Sequence, residues 1–211
     1  MDMASIVDQL AQLKVIPVVA VESADSALKL ADALVAGGLP CIEITFRTAA
    51  AADAIKAVAA KGNMLVGAGT VLTVDQAKQA VDLGARFLVS PGFSAKVVEW
   101  CVQNKVAITP GAVTPTEIQM ALEFGLETVK FFPAEAYGGL ETLKALAAPF
   151  GKVRFIPTGG ITAANLPEYL AFPKVVACGG TWIATAEMIK AGEFAKITQL
   201  AAEAVKTAAA R

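Results

Sequence analysis

Hydrophobic positions fall into short, β-branched runs that recur along the chain: KVIPVVAV from Lys14, CIEITF from Cys41, MLVGAGTV from Met64, FLVSPG from Phe87, VAITPG from Val106, TVKFFP from Thr128, VRFIPTGG from Val153 and VVACGGTW from Val175. Successive runs start about 19 to 27 residues apart, the length of one strand, one helix and two short loops. Between them lie segments of helical period such as SADSALKLADALVAGG and TVDQAKQAVDLGA, where a Ser or Thr can cap the start and a Gly the end. A helix over ASIVDQLAQL precedes the first run, and the region AEMIKAGEFAKITQLAAEAVKTAAA follows the last; both are expected outside the eight units. No linker or low-complexity boundary interrupts the pattern, which predicts a single domain over residues 1–211.

Eight strand–helix units in such a chain predict an α/β fold, a (β/α)8 TIM barrel with an additional N-terminal helix, over the competing open doubly wound sheet. In that barrel, chemistry sits at the C-terminal ends of the strands. Pro, Gly, Ser and Thr accumulate there, in VGAGT, VSPG, ITPG, FFP, PTGG and CGGT.

Composition narrows the function. Hydrophobic residues make up 55% and charged residues 18%, enough for a large core with apolar surface to spare for a subunit contact. The net charge of -1 and the lack of a basic run argue against a nucleic-acid or anionic-membrane partner. No stretch is apolar enough to span a membrane, and MDMASIVDQL does not read as a leader, so a cytoplasmic location is expected. Cys41, Cys101 and Cys178 are odd in number and scattered, which points to reduced, packed thiols and to no disulfide framework or clustered metal site. The chain has no histidine at all, which excludes Ser-His and Cys-His chemistry and leaves acid/base work to Glu, Asp, Lys, Tyr or Cys. Neither metal nor cofactor is expected.

Strand alternation then assigns faces. In IEITFR, Glu43, Thr45 and Arg47 share one face and Ile42, Ile44 and Phe46 the other. In VKFF, Lys130 and Phe132 lie opposite Val129 and Phe131, so Lys130 can reach the interior that Glu43 reaches. Desolvation among phenylalanines and the charge of Arg47 favour the neutral amine, whereas Glu43 opposes it. Two roles stay open for Lys130: a buried ion pair with Glu43, or a nucleophile that forms a Schiff base with a carbonyl. Glu43 is the candidate general base, and Arg47 the candidate partner of a substrate carboxylate or an ordinary surface ion pair. The glycine pairs in Thr158-Gly159-Gly160 and Gly179-Gly180-Thr181 end the seventh and eighth runs, where barrels frequently bind phosphate on backbone N–H groups.

EITFRT, VGAGTVL, VSPG, TPGAVTPTE, VKFFPAEAYGG, RFIPTGGI and GGTW, in this order and spacing, resemble the 2-keto-3-deoxy-6-phosphogluconate aldolase family, which also acts as 4-hydroxy-2-oxoglutarate aldolase. The likeness covers about residues 10 to 205. It implies a metal-free Schiff-base aldolase on a (β/α)8 barrel, assembled as a homotrimer, acting on small 2-keto acids that are often phosphorylated. By motif, Lys130 would be the Schiff-base lysine and Glu43 the general acid/base. Arg47, Thr70 and Pro91 would line the pyruvate part of the site, and Phe132 and Thr158 would contact the substrate. Gly159, Gly160, Gly180 and Thr181 would hold the phosphate. The family often has serine where Thr181 stands and cysteine where Ile156 stands. Rival readings are the 6-phosphogalactonate epimer aldolase or an oxaloacetate decarboxylase using the same lysine, a phosphate-binding isomerase or epimerase, and a catalytically silent scaffold.

Overall fold

The computed structural model describes residues 3–210; Met1, Asp2 and Arg211, which end the expected 1–211 domain, lie outside the described residues. Eight strands alternate with helices: β1 Val15–Val19, β2 Cys41–Thr45, β3 Leu65–Gly69, β4 Phe87–Val89, β5 Ala107–Thr109, β6 Thr128–Phe131, β7 Arg154–Pro157 and β8 Cys178–Gly180. The helices are α1 Met3–Leu13, α2 Ala24–Ala36, α3 Ala51–Lys61, α4 Val74–Asp82, α5 Ala95–Gln103, α6 Pro115–Glu123, α7 Gly139–Ala147, α8 Leu166–Leu170, α9 Ala186–Ala191 and α10 Phe194–Ala209, with a short 3-10 helix at Glu135–Tyr137. Their ends follow local chemistry. Ser23, Thr73 and Thr185 accept from backbone N–H groups of α2, α4 and α9, and Thr114 forms a capping box with Glu117 ahead of α6.

All strand pairs are parallel. Six strands form one sheet in the order β5-β4-β3-β2-β1-β8, and β6 and β7 form a second ladder. Isolated parallel bridges, Gly111 to Lys130 and Thr158 to Gly179, link the two. The continuous eight-strand ladder expected of a barrel is therefore interrupted twice, and each interruption has a proline beside it. Lys130 N–H donates to Pro110 O and Ala112 N–H to Lys130 O, so the next donor toward β6 belongs to Pro110, which has none. Phe155 N–H likewise donates toward the β8 side, to Lys174 O, and the next nitrogen facing that way is that of Pro157.

The core has two compartments. Ile42, Ile44, Leu88, Val129, Phe131 and Phe155 point outward and join the helices in the larger cluster. On the opposite face, Ile16, Cys41, Phe87, Val89, Ala107, Ile156 and Ala177 meet Ile6 and Leu10 of α1 in a second, separate cluster. Helix α1 thus supplies apolar cover to the inner face, below a polar layer that contains Glu43 and Lys130. Burial of such side chains contributes about 1.5–3 kcal/mol each relative to exposure.

Two boundaries differ from the sequence reading. The eighth strand begins at Cys178, three residues after the start of its hydrophobic run, because Lys174, Val175 and Val176 pair individually with Phe155. The C-terminal region also does not stand apart from the repeat: α10 packs on α2, β1 and α8, filling the position of a last helix. A Cβ on Gly37 would meet Ala201 and Thr198 at 2.6 Å, so this glycine is what lets α10 lie against the end of α2.

Candidate active site

Lys130 projects from β6 into the interior and is 5% exposed; Glu43 projects from β2 and is 3% exposed. Lys130 Nζ lies 3.4 Å from Glu43 Oε1 and 5.0 Å from the centroid of the Phe132 ring. Glu43 gains its place from a missing side chain: a Cβ on Gly69 of β3 would sit 2.2 Å from Glu43 Oε1. The second glycine of VGAGT is therefore a space-making residue. Glu43 also bears on Cys41, whose thiol is pushed well above its ordinary value, first by burial and then by that carboxylate.

Above the pair, at the C-terminal ends of the strands, a cavity of about 230 Å³ is lined by Arg47, Thr70, Pro91, Lys130, Phe132, Thr158, Gly159, Gly160, Gly180 and Thr181, together with Val18, Thr45 and Ile161. Ten of the eleven residues singled out in the sequence line this one cavity. Glu43, the eleventh, does not line it and stands behind Lys130.

Thr45 was placed on the right face by alternation but given no role. Its hydroxyl donates to Val19 O at 2.8 Å, and because a hydroxyl has one proton, it can only accept from Arg47 Nε, 3.0 Å away. Arg47 is exposed and has no carboxylate partner among the described residues. With Nε engaged, its two terminal nitrogens remain for an anion, the geometry suited to a bidentate carboxylate contact. Thr70 has φ 56°, a left-handed conformation that costs a β-branched residue roughly 1–3 kcal/mol and tends to be found at functional sites.

The glycines of the rim have reasons of their own. Gly159 and Gly160 have φ of 97° and 80°, and Cβ atoms there would run into Pro133 at 3.2 Å and Glu135 at 2.5 Å. A Cβ on Gly180 would strike the Trp182 ring at 1.8 Å, and one on Gly179 the Thr158 hydroxyl at 2.4 Å. These positions admit neighbouring side chains as well as shaping the rim. Among the described residues no cluster of three or more His, Cys, Asp or Glu could hold a metal ion, and no helix is long and apolar enough to cross a membrane. The larger cavity of about 540 Å³, between α8 and α10, contains none of the residues singled out above except for its contact with Trp182.

Residues 6–200 match the family model for aldolases described as KDPG and KHG aldolase. The chain is 50% identical over 205 residues to the 2-dehydro-3-deoxy-phosphogluconate aldolase of Treponema pallidum, covering 97% of this chain and 98% of that one. The structure of the 2-keto-3-deoxy-6-phosphogluconate aldolase of Zymomonas mobilis with 3-phosphoglycerate superposes with a TM-score of 0.88 at 43% identity, covering 94% of each chain. That of the KDPG aldolase from Legionella pneumophila, with pyruvate captured at low pH as a covalent carbinolamine intermediate, gives a TM-score of 0.91 at 37% identity, covering 96% of this chain and 97% of that one. With a family model spanning nearly its whole length and relatives of this identity, the chain belongs to the KDPG and KHG aldolase family.

Proposed function

We propose that the protein is a Schiff-base aldolase that cleaves 2-keto-3-deoxy-6-phosphogluconate to pyruvate and glyceraldehyde 3-phosphate, and 4-hydroxy-2-oxoglutarate to pyruvate and glyoxylate. The observation that carries this is the buried amine of Lys130 at the floor of the cavity, 3.4 Å from the carboxylate of Glu43. A lysine so placed, largely removed from water and beside a proton acceptor, suits attack on a ketone.

In this reading Lys130 Nζ adds to C2 of the substrate to give a carbinolamine, which loses water to an iminium. Glu43, which stands behind Lys130, takes the proton of the C4 hydroxyl through a water, the C3–C4 bond breaks, and its electron pair passes into the iminium to give an enamine. The aldehyde leaves, C3 is protonated, and hydrolysis frees pyruvate and the lysine. Arg47, oriented by Thr45, receives the substrate carboxylate with Thr70 and Pro91; Phe132 and Thr158 contact the chain of the substrate. Gly159, Gly160, Gly180 and Thr181 hold the phosphate through backbone N–H groups and the threonine hydroxyl.

The same reading takes the two ladders and their linking bridges as one closed (β/α)8 barrel in a single domain. It also takes the protein as a cytoplasmic homotrimer, needing no metal or cofactor. Pyruvate release from both 2-keto acids tests the activity. Cleavage of the phosphorylated substrate at least as fast as the short one is expected, and failure on both would remove the assignment.

A further inference from the structure

Glu135 closes the KFFPAE motif yet lies outside the cavity lining and takes no part in the steps above. Its surroundings are nonetheless built around the Gly159–Gly160 turn. Glu135 N–H donates to Gly159 O at 3.1 Å, and the preceding Ala134 N–H to Thr158 O at 2.8 Å. The stem of Glu135 runs against Gly160, where a Cβ would lie 2.5 Å from both its Cβ and its Cγ. Its carboxylate accepts from the hydroxyl of Tyr169, a side chain of α8 that is 2% exposed. Gly139 leaves room for this contact, since a Cβ there would stand 3.0 Å from Glu135 Oε1 and 3.2 Å from the Tyr169 hydroxyl. On the other side, Asn165 Nδ2 donates to Gly160 O at 3.1 Å. The turn is thus gripped from two sides, and the Tyr169 bond is what fixes Glu135.

We infer that Glu135 and Tyr169 form a positioning pair for the Gly159–Gly160 turn, and that the pair sets the preference for phosphorylated over unphosphorylated substrates. This rests on the proposed assignment of that turn to the substrate phosphate. Two physical effects act in the same direction. A turn held in place presents its N–H groups to an anion without reorganisation, which is where such sites gain their strength. The tyrosine proton also restrains a carboxylate that, once released, would be a like charge beside the incoming phosphate. Burial foremost, and then the bond to Glu135, hold the Tyr169 hydroxyl above its ordinary range, so it remains a donor into the alkaline range as well as at neutral pH.

The experiment measures kcat and KM for 2-keto-3-deoxy-6-phosphogluconate and for 4-hydroxy-2-oxoglutarate on the same preparations of wild type, Tyr169→Phe, Glu135→Ala and Glu135→Gln. Tyr169→Phe, which frees the carboxylate as well as the turn, is expected to lose about tenfold in kcat/KM for the phosphorylated substrate, mostly through KM. Glu135→Ala, which loses the grip on the turn but also the charge, should lose less than that but more than about twofold. Both should lose less than about twofold for the short substrate. Glu135→Gln, whose amide oxygen still accepts from Tyr169, should keep the preference for the phosphorylated substrate. Inhibition by inorganic phosphate should weaken in step with the first two variants. Should Tyr169→Phe fail to fold, Glu135→Ala carries the test, because Glu135 is an exposed residue at the start of the short 3-10 helix. Equal losses on both substrates, or no loss on the phosphorylated one, overturn the inference while leaving the aldolase reading intact. A wild-type protein that cleaves neither substrate overturns that reading instead.

Discussion

Lys130 and Glu43, 87 residues apart in the chain, meet inside the fold with Nζ 3.4 Å from Oε1, and both side chains are almost wholly shielded from solvent. A buried pair of this kind is weak support for stability, since desolvation offsets much of the attraction. Its place beneath a cavity of about 230 Å³, with the amine toward the cavity and the carboxylate behind, is what the proposed chemistry uses.

Glu43→Gln keeps the shape of the side chain and removes its capacity to take a proton. Aldol cleavage and exchange of the pyruvate C3 protons with solvent, followed by NMR, are expected to fall by about 10² to 10⁴ while a pyruvate adduct on Lys130 still accumulates. Exchange at the wild-type rate would make Glu43 a structural partner only.

Thr45→Val should raise KM for both substrates about tenfold with a smaller effect on kcat, because Arg47 loses the acceptor that orients its guanidinium. The variant also leaves the Val19 carbonyl without its hydroxyl donor, at a stability cost of about 1–3 kcal/mol seen in chemical denaturation. Thr45→Ser should restore both properties. A Thr45→Val enzyme with unchanged KM would detach Arg47 from the substrate carboxylate.

Dialysis against EDTA should leave the rate of cleavage unchanged. The chain has no histidine, and lysine and glutamate carry every proposed step. Activity lost in EDTA and restored by a divalent ion would point to a different chemistry.

Alkaline pH should destabilise the fold. Burial raises the Cys101 thiol from 9.0 to about 12, and it pushes up Cys41, Cys178 and Tyr169 as well. Each is neutral in the folded state over a pH range where the unfolded group ionises, so the unfolded chain binds fewer protons there. Their contribution is complete below about pH 9 and declines as pH rises toward 12. The denaturant midpoint should therefore drop between pH 8 and pH 10.5, and native thiols should resist a thiol reagent that reacts promptly after unfolding. A midpoint that rises over that interval would contradict this.

Much of the site was legible because strand alternation is a strict rule. It put Glu43, Thr45 and Arg47 on one face and Lys130 inward. In the structure Glu43 and Thr45 face inward from β2, Lys130 does so from β6, and Arg47 follows in the turn just past β2 and still reaches the cavity. Depth was not legible. That Glu43 stands behind the cavity depends on the absence of a side chain at Gly69, on a neighbouring strand whose register is a tertiary fact. The role of α10 was obscured because an alanine-rich amphipathic helix has the same period whether it extends a fold or closes its repeat. The Glu135–Tyr169 contact bridges the short 3-10 helix and α8 across 34 residues, and no local pattern announces it.

The most direct measurement is reduction with borohydride in the presence of pyruvate, followed by peptide mass analysis. The account predicts irreversible loss of activity and one pyruvate-derived adduct, on Lys130, absent from a folded and inactive Lys130→Met variant. An adduct on a different lysine, with Lys130→Met still cleaving substrate, would contradict it.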